Sequence, residues 1–426
     1  MKELLKNKFL RDTSIYTAAD VLNKLVPFVL LPVLTRYLTP EDYGIIAMFF
    51  VLTSILGIVT TFETNTAISV NFFKISKEEL KIYIANVLLI ISIVTSIVFV
   101  FVIFYHAHLS AIFSMPFEWL IVAIVVTLTQ FITTINLLLW QSEQKPIPFG
   151  IYQITQTIVN LTLSLILIVG FGMGWEGRLI AISFASVLFG MMSFLFLYKR
   201  DYLQFKLSRE SIDDAVKFGV PLLPHALSIW FRTGVDRVFL TTLISASATG
   251  LYTVGFQMAS IISVLTMAFN KAYVPYLFEH LSDITHKKKI HLVKYSYFYF
   301  FFLLLLAATL SLLAPIFIRF FLGDKFIHSQ QYITWLAFGF AFHGMYYIVV
   351  NYILYMKQTA FLSYVTFSVS LLHVALSYIL IKYNGALGAA QATTITSFIT
   401  FISVWILSAK IYKMPWMAIM KSDSHD

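Results

Sequence analysis

The sequence predicts an all-α polytopic membrane protein of about twelve transmembrane helices, and three observations carry that prediction. Hydrophobic residues make up 59% of the 426-residue chain, charged residues only 12%, and the apolar residues gather in long runs. Soluble domains carry about 25% charged residues. A chain this poor in charge cannot cover a water-facing surface, so lipid is its main solvent. Backbone groups in hydrocarbon must be satisfied within the segment, which makes each run a helix.

The runs occupy residues 13–37, 43–69, 82–105, 118–140, 148–170, 178–198, 213–237, 250–273, 292–314, 330–355, 362–382 and 386–409. The loops between them are short and hold no inserted soluble domain. The first run follows a basic arm, Met1–Arg11, and carries Asp20 and Lys24 with no small-residue cleavage site. It therefore reads as a span and not as a removable signal peptide.

Lysine and arginine set the orientation. They crowd the arm, the even-numbered loops (Lys74, Lys77 and Lys81; Lys145; Lys199, Arg200, Lys206 and Arg209; Lys287–Lys289 and Lys294; Lys357) and the tail (Lys410, Lys413, Lys421). Across the membrane stand Arg36, Arg178, Arg319, Lys325 and Lys382. This bias predicts an even number of spans with both termini in the cytoplasm. It also explains the net charge of +9 without a nucleic-acid partner. With no cysteine in the chain, disulfides, thiolate catalysis and Cys-ligated metal are excluded.

The halves read as repeats. Leu34–Ile45 lies 206 positions before Leu240–Leu251, with Leu34/Leu240, Thr35/Thr241 and Gly44/Gly250 identical. Gly174-x-x-Gly177-x-x-x-Ala181 recurs 211 positions later as Gly385-x-x-Gly388-x-x-x-Ala392. This predicts an N-terminal lobe over residues 1–200 with helices 1–6 and a C-terminal lobe over 201–426 with helices 7–12. Parallel repeats of this kind place a transport site between the halves.

These segments also carry a family resemblance. Arg36-Tyr37-Leu38-Thr39-Pro40-Glu41-Asp42-Tyr43-Gly44 follows a first helix containing proline. Phe218-Gly219-Val220-Pro221-Leu222-Leu223-Pro224 is followed by Asp236-Arg237, Leu322-Gly323-Asp324 precedes helix 10, and Gly385-Ala386-Leu387-Gly388-Ala389-Ala390 opens helix 12. Together they resemble the O-antigen and teichoic acid flippases of the multidrug/oligosaccharidyl-lipid/polysaccharide exporter superfamily. The resemblance implies two pseudo-symmetric six-helix lobes with alternating access in a bacterial cytoplasmic membrane. It implies an undecaprenyl-pyrophosphate-linked oligosaccharide as cargo, no cofactor, and a glycan polymerase and chain-length regulator as partners. A monomer suffices, since one chain holds both lobes.

Charge inside a membrane helix is costly and faces a bundle interior or an aqueous cavity. Here it concentrates in the first two helices of each half. Helix 1 has Asp20 and Lys24, helix 2 has Glu63, helix 7 has Lys217, Arg232, Asp236 and Arg237, and helix 8 has Lys271. The cations suit a path for pyrophosphate, which arginine grips in bidentate fashion. Asp20, Glu63 and Asp236 are candidates for proton or sodium coupling. Two plainer readings stand beside this one. Asp20–Lys24 and Arg232–Asp236, each spaced i,i+4, form neutralising pairs, and Lys217, Arg237 and Lys271 snorkel at helix ends. Pro27 and Pro32 in helix 1, and Pro221 and Pro224 in helix 7, predict matching kinks suited to gating.

His225, His343 and His373 lie within apolar runs and read as neutral packing residues, while His106-x-His108 falls in an outer loop without further metal ligands. No phosphate-binding loop, His-Glu-x-x-His or Gly-x-Ser-x-Gly motif occurs, and no large outer loop offers a catalytic domain, so the chain is not expected to be an enzyme. A cation-coupled multidrug exporter is the alternative. It would favour an anionic cavity, whereas the membrane charges here are on balance cationic. A membrane-embedded glycan polymerase or ligase ranks third.

Overall fold

A computed structural model describes residues 15–16, 22–23, 25–26 and 28–417. Among them no strand occurs, and ten helices are long and apolar enough to cross a membrane. The chain runs through α1 (Phe28–Tyr37), α2 (Pro40–Thr61), α3 (Thr64–Asn71), α4 (Lys77–Phe104), α5 (His106–Phe113), α6 (Phe117–Ser142) and α7 (Pro146–Leu165). It continues through α8 (Gly174–Lys199), α9 (Arg209–Gly219), α10 (Leu223–Thr233), α11 (Val235–Leu243), α12 (Ala246–Ala259) and α13 (Ile261–Ser282). The last four are α14 (His286–Phe317), α15 (Gln330–Tyr355), α16 (Thr359–Asn384) and α17 (Leu387–Ile411). The two expected spans outside those ten are the first, of which α1 is the continuously described part, and the seventh, divided into α9, α10 and α11.

Local chemistry explains the starts and breaks. Thr39-Pro40-Glu41-Asp42 is a helix start: Asp42 N–H donates to Thr39 Oγ1 at 3.1 Å, and Thr39 N–H donates to Asp42 Oδ2 at 2.7 Å. Proline occupies the first turn, where no N–H is needed. Ser76 and Glu79 close the same box on α4. Helix 2 does not run on to residue 69 as expected, because Phe62 and Glu63 adopt left-handed backbone angles (φ 48° and 55°) that end α2. His106-x-His108 is the first turn of α5 and not a loop, since only Tyr105 separates α5 from α4. Among the described residues no group of three metal-type side chains converges.

The chain divides into two compact units. One holds Met1–Trp230 and Ser245–Gly250, the other Phe231–Ile244 and Leu251–Asp426. In the first, α6 packs on α8 and α2, and Ile84, Ile91, Ile135, Leu139 and Leu197 lie fully buried. In the second, α15 packs on α17 through small residues, with Ala337 and Ala341 on one helix and Ala389 and Ala390 on the other. Small side chains let apolar helices approach closely where lipid supplies no hydrophobic drive.

The two matched segments meet in the structure. Within the first unit, a Cβ added to Gly44 would sit 1.8 Å from the Ala246 carbonyl oxygen, and one added to Gly250 would sit 1.7 Å from the Pro40 oxygen. Gly44 and Gly250 are repeat mates, as are Pro40 and Ala246, so each half offers the same glycine to the other's helix start. Gly174 and Gly385 likewise both have positive φ (57° and 61°) at the entries to α8 and α17.

Candidate functional site

Pro221 and Pro224 interrupt the seventh span more completely than a kink: a single 3-10 turn, Val220–Leu222, separates α9 from α10. Proline removes a backbone donor and clashes with the preceding turn. Gly234 then ends α10 and begins α11, which places Arg232 and Asp236 on different helices. Their i,i+4 spacing therefore creates no ion pair, and the expected Arg232–Asp236 pair is corrected on that ground.

Asp236 instead sits at the centre of a buried polar network in the second unit. Only 1% of its surface is exposed. Ser377 on α16 donates to Oδ1, while Thr393 on α17 (2.9 Å) and Tyr252 on α12 (3.0 Å) donate to Oδ2. His373 Nε2 lies 3.2 Å from Oδ1, an ion-pair contact more than an aligned hydrogen bond. On its other side, His373 Nδ1 is 3.0 Å from Thr396 Oγ1, whose own proton goes to the Ala392 carbonyl at 2.7 Å. That commitment makes Nδ1 the donor. Nε2 is then the ring nitrogen that faces the Asp236 carboxylate. Reading His373 as a packing residue missed this, because its partner lies 137 positions away in sequence.

Arg232 turns to α15. It stands beside Tyr346 and Tyr347, with His343 stacked on Tyr346 (centroids 5.3 Å apart, planes 14°) and edge-on to Tyr347 at 4.9 Å. Among the described residues no carboxylate pairs with Arg232. Arg237 is engaged otherwise: its guanidinium lies 4.6 Å from the Phe256 centroid and 5.7 Å from that of Tyr252, and it donates to Thr253 and to the Thr233 carbonyl. It therefore does not snorkel at a helix end. Lys271 lies on the exposed side of α13, and Lys217 is exposed on α9. Glu63 occupies the position before α3, at the break after α2, without a side-chain cap bond, and Pro32 lies in α1. Asp20, Lys24 and Pro27 fall outside the described residues.

The first unit has polar centres that the sequence pattern hid. Arg178, expected as an outer-face cation, donates to Asn160 Oδ1 at 2.6 Å and to Ser164, both on α7. Beyond the end of α6, Glu143 receives Arg200 at 2.7 Å, Lys145 at 2.9 Å and the Tyr202 hydroxyl at 2.5 Å. Burial pushes the Glu143 carboxyl up, but the hydrogen bonds from Tyr202, Lys145 and Arg200 outweigh it and hold the group below its usual range.

Relatives fit this architecture. A family model described as polysaccharide biosynthesis protein matches residues 9–281. A protein of the Lsg locus of Haemophilus influenzae is 27% identical over 415 residues, covering 92% of this chain and 98% of its own. The inward closed structure of the lipid II flippase MurJ superposes with a TM-score of 0.71 at 15% identity, covering 98% of this chain and 93% of that one. An inward-facing multidrug resistance MATE family transporter of the MOP superfamily gives a TM-score of 0.68 at 17% identity, over 94% and 96%.

Proposed function

The chain belongs to the polysaccharide biosynthesis protein family and has the multi-pass fold of the MOP superfamily, and from that premise we propose that it flips an undecaprenyl-pyrophosphate-linked oligosaccharide from the cytoplasmic to the outer leaflet of a bacterial cytoplasmic membrane. Both termini lie in the cytoplasm in this reading. The lobes of residues 1–200 and 201–426 alternate access to a cationic path, with Pro32, Pro221 and Pro224 at the bending points.

The single observation that carries the reading is Arg232, a guanidinium inside the bundle beside Tyr346 and Tyr347 and without a carboxylate among the described residues. A buried cation left without a counter-ion is costly, so it is retained for a ligand that supplies the charge. A diphosphate does so, and the neighbouring rings offer flat faces for sugars. Lys271 and Lys24 are further candidate cations for the cargo, Lys24 lying outside the described residues.

Coupling falls to Asp236 and His373. The hydroxyls of Ser377, Thr393 and Tyr252 all donate to the carboxylate, an environment suited to exchanging a proton and poor in free oxygen lone pairs for sodium. Release of that proton and its rebinding would bias the second unit between states. Glu63 and Asp20 are further acids for the same role. A glycan polymerase and a chain-length regulator act beside the flippase. A multidrug exporter would need an accessible anion for cationic drugs, whereas Asp236 is enclosed.

Deleting the gene tests the reading. The lipid-linked repeat unit is expected to accumulate and to be inaccessible to a glycan-specific lectin on the outer face of spheroplasts. Outer-face access equal to wild type, in a strain without a second flippase, would move the assignment to the drug exporter.

A further inference from the structure

The consecutive helices α13 and α14 are joined by Asp283–Thr285, yet α14 packs mainly on α15 and little on α13. The three helices converge at Gly344, where an added Cβ would meet the Thr266 methyl at 2.6 Å and Leu303 at 2.8 Å. Between that convergence and the turn, α13 and α14 part around a cleft of about 640 Å³. One alanine, Ala272, and seven aromatic residues line it. Phe269 to Tyr276 on one wall and Tyr295 to Phe302 on the other each span seven positions, about 10 Å of helix.

Cations lie at the turn that joins the two helices of the cleft and behind its inner wall, with Lys288 paired to Asp283 at 3.0 Å and Lys289 donating to the Lys413 carbonyl. Lys287, Lys288 and Lys289 begin α14 at the turn, and Lys294 precedes Tyr295. At the inner wall, Tyr299 is 8% exposed and stacks on Phe269 with centroids 4.3 Å apart. Tyr347 lies beside both Tyr299 and Arg232. Tyr347 thus stands between the inner wall of the cleft and the guanidinium, within a single unit. Beyond the cleft, the exposed apolar residues of α14 include Leu305, Leu312, Leu313 and Ile316 together with Phe301 and Phe317.

We propose that this cleft seats the polyprenyl chain of a lipid diphosphate, with the diphosphate at the lysine-bearing turn. This rests on the flippase reading and adds a lipid-tail site to it. A long, methyl-branched, unsaturated chain gains contact from flat ring faces along its whole length. The lysine-bearing mouth selects a lipid with an anionic head, and the closed end at Gly344 limits how far the chain threads.

The test uses the full-length protein in nanodiscs and an undecaprenyl diphosphate probe bearing a diazirine on its chain. Photolabelling followed by peptide mapping is expected to mark residues 269–276 and 295–302. A tenfold excess of unlabelled undecaprenyl diphosphate should remove the label, and an equal excess of phosphatidylglycerol should not. Ala272→Trp, which fills the cleft, should cut labelling there at least tenfold. Equal competition by phosphatidylglycerol would mean ordinary bilayer lipid in the cleft and would overturn the proposal. Diphosphate-competed labelling near Arg232 without labelling of α13 and α14 would overturn the tail site and leave the flippase standing. No diphosphate-competed labelling anywhere would sink both.

Discussion

Arg232→Glu is expected to abolish surface glycan in the complemented deletion strain while the protein reaches the membrane at the wild-type level. The reversed charge would stand where the diphosphate must pass, among Tyr346, Tyr347 and His343. Each hydrogen bond to a charged group contributes roughly 1.5–3 kcal/mol, so losing one alone costs about 10–100-fold in affinity. Repulsion adds to that. Arg232→Lys keeps the charge and loses the bidentate fork, and is expected to restore partial display. If lysine and glutamate were equally inactive at normal protein level, the arginine would be acting through shape and packing, and the cationic path would lose its main support.

The second large effect concerns Asp236 and His373. Asp236→Asn keeps the size of the side chain but cannot carry the proton or pair with an imidazolium. Transport driven by an imposed pH gradient is expected to fall by roughly 100-fold or more, the scale on which a positioned proton-transfer group contributes. His373→Gln should flatten the dependence on the gradient while leaving substrate binding in place. The other groups facing this centre are Arg237 on α11, Tyr252 on α12, Ser377 on α16 and Thr393 on α17, and none replaces the imidazole. Asp236→Leu is a poorer probe. It strands three hydroxyl donors in the interior at about 1–3 kcal/mol each, so its failure would report folding. An Asp236→Asn protein that still responds fully to the pH gradient would remove the carboxylate from coupling.

Much of this architecture was legible in the sequence because the bilayer imposes simple rules. Apolar runs became helices, and Gly44 and Gly250 proved to be mates in contact. Proline at 221 and 224 announced the break in the seventh span. The i,i+4 rule failed at Arg232 and Asp236 because it assumes an unbroken helix, and Gly234 between them was the overlooked signal. The partners of Asp236 come from α12, α16 and α17, and no local pattern reports a contact between helices so far apart in the chain. A hint did exist: His373 and Ser377 are spaced i,i+4 on α16, and Thr393 and Thr396 i,i+3 on α17, two polar stripes that had to meet something. The α13–α14 cleft was invisible for a different reason, since aromatics facing lipid and aromatics lining a groove look alike as letters.

The most direct measurement is translocation by the purified protein. Proteoliposomes carrying a fluorescent undecaprenyl-pyrophosphate oligosaccharide would be quenched from outside by a membrane-impermeant reductant, with and without a pH gradient. The account predicts gradient-dependent transfer of the labelled lipid between leaflets with wild-type protein, and transfer at the protein-free rate with Arg232→Glu. Wild-type transfer no faster than protein-free liposomes, with the protein shown to be folded and inserted, would contradict it.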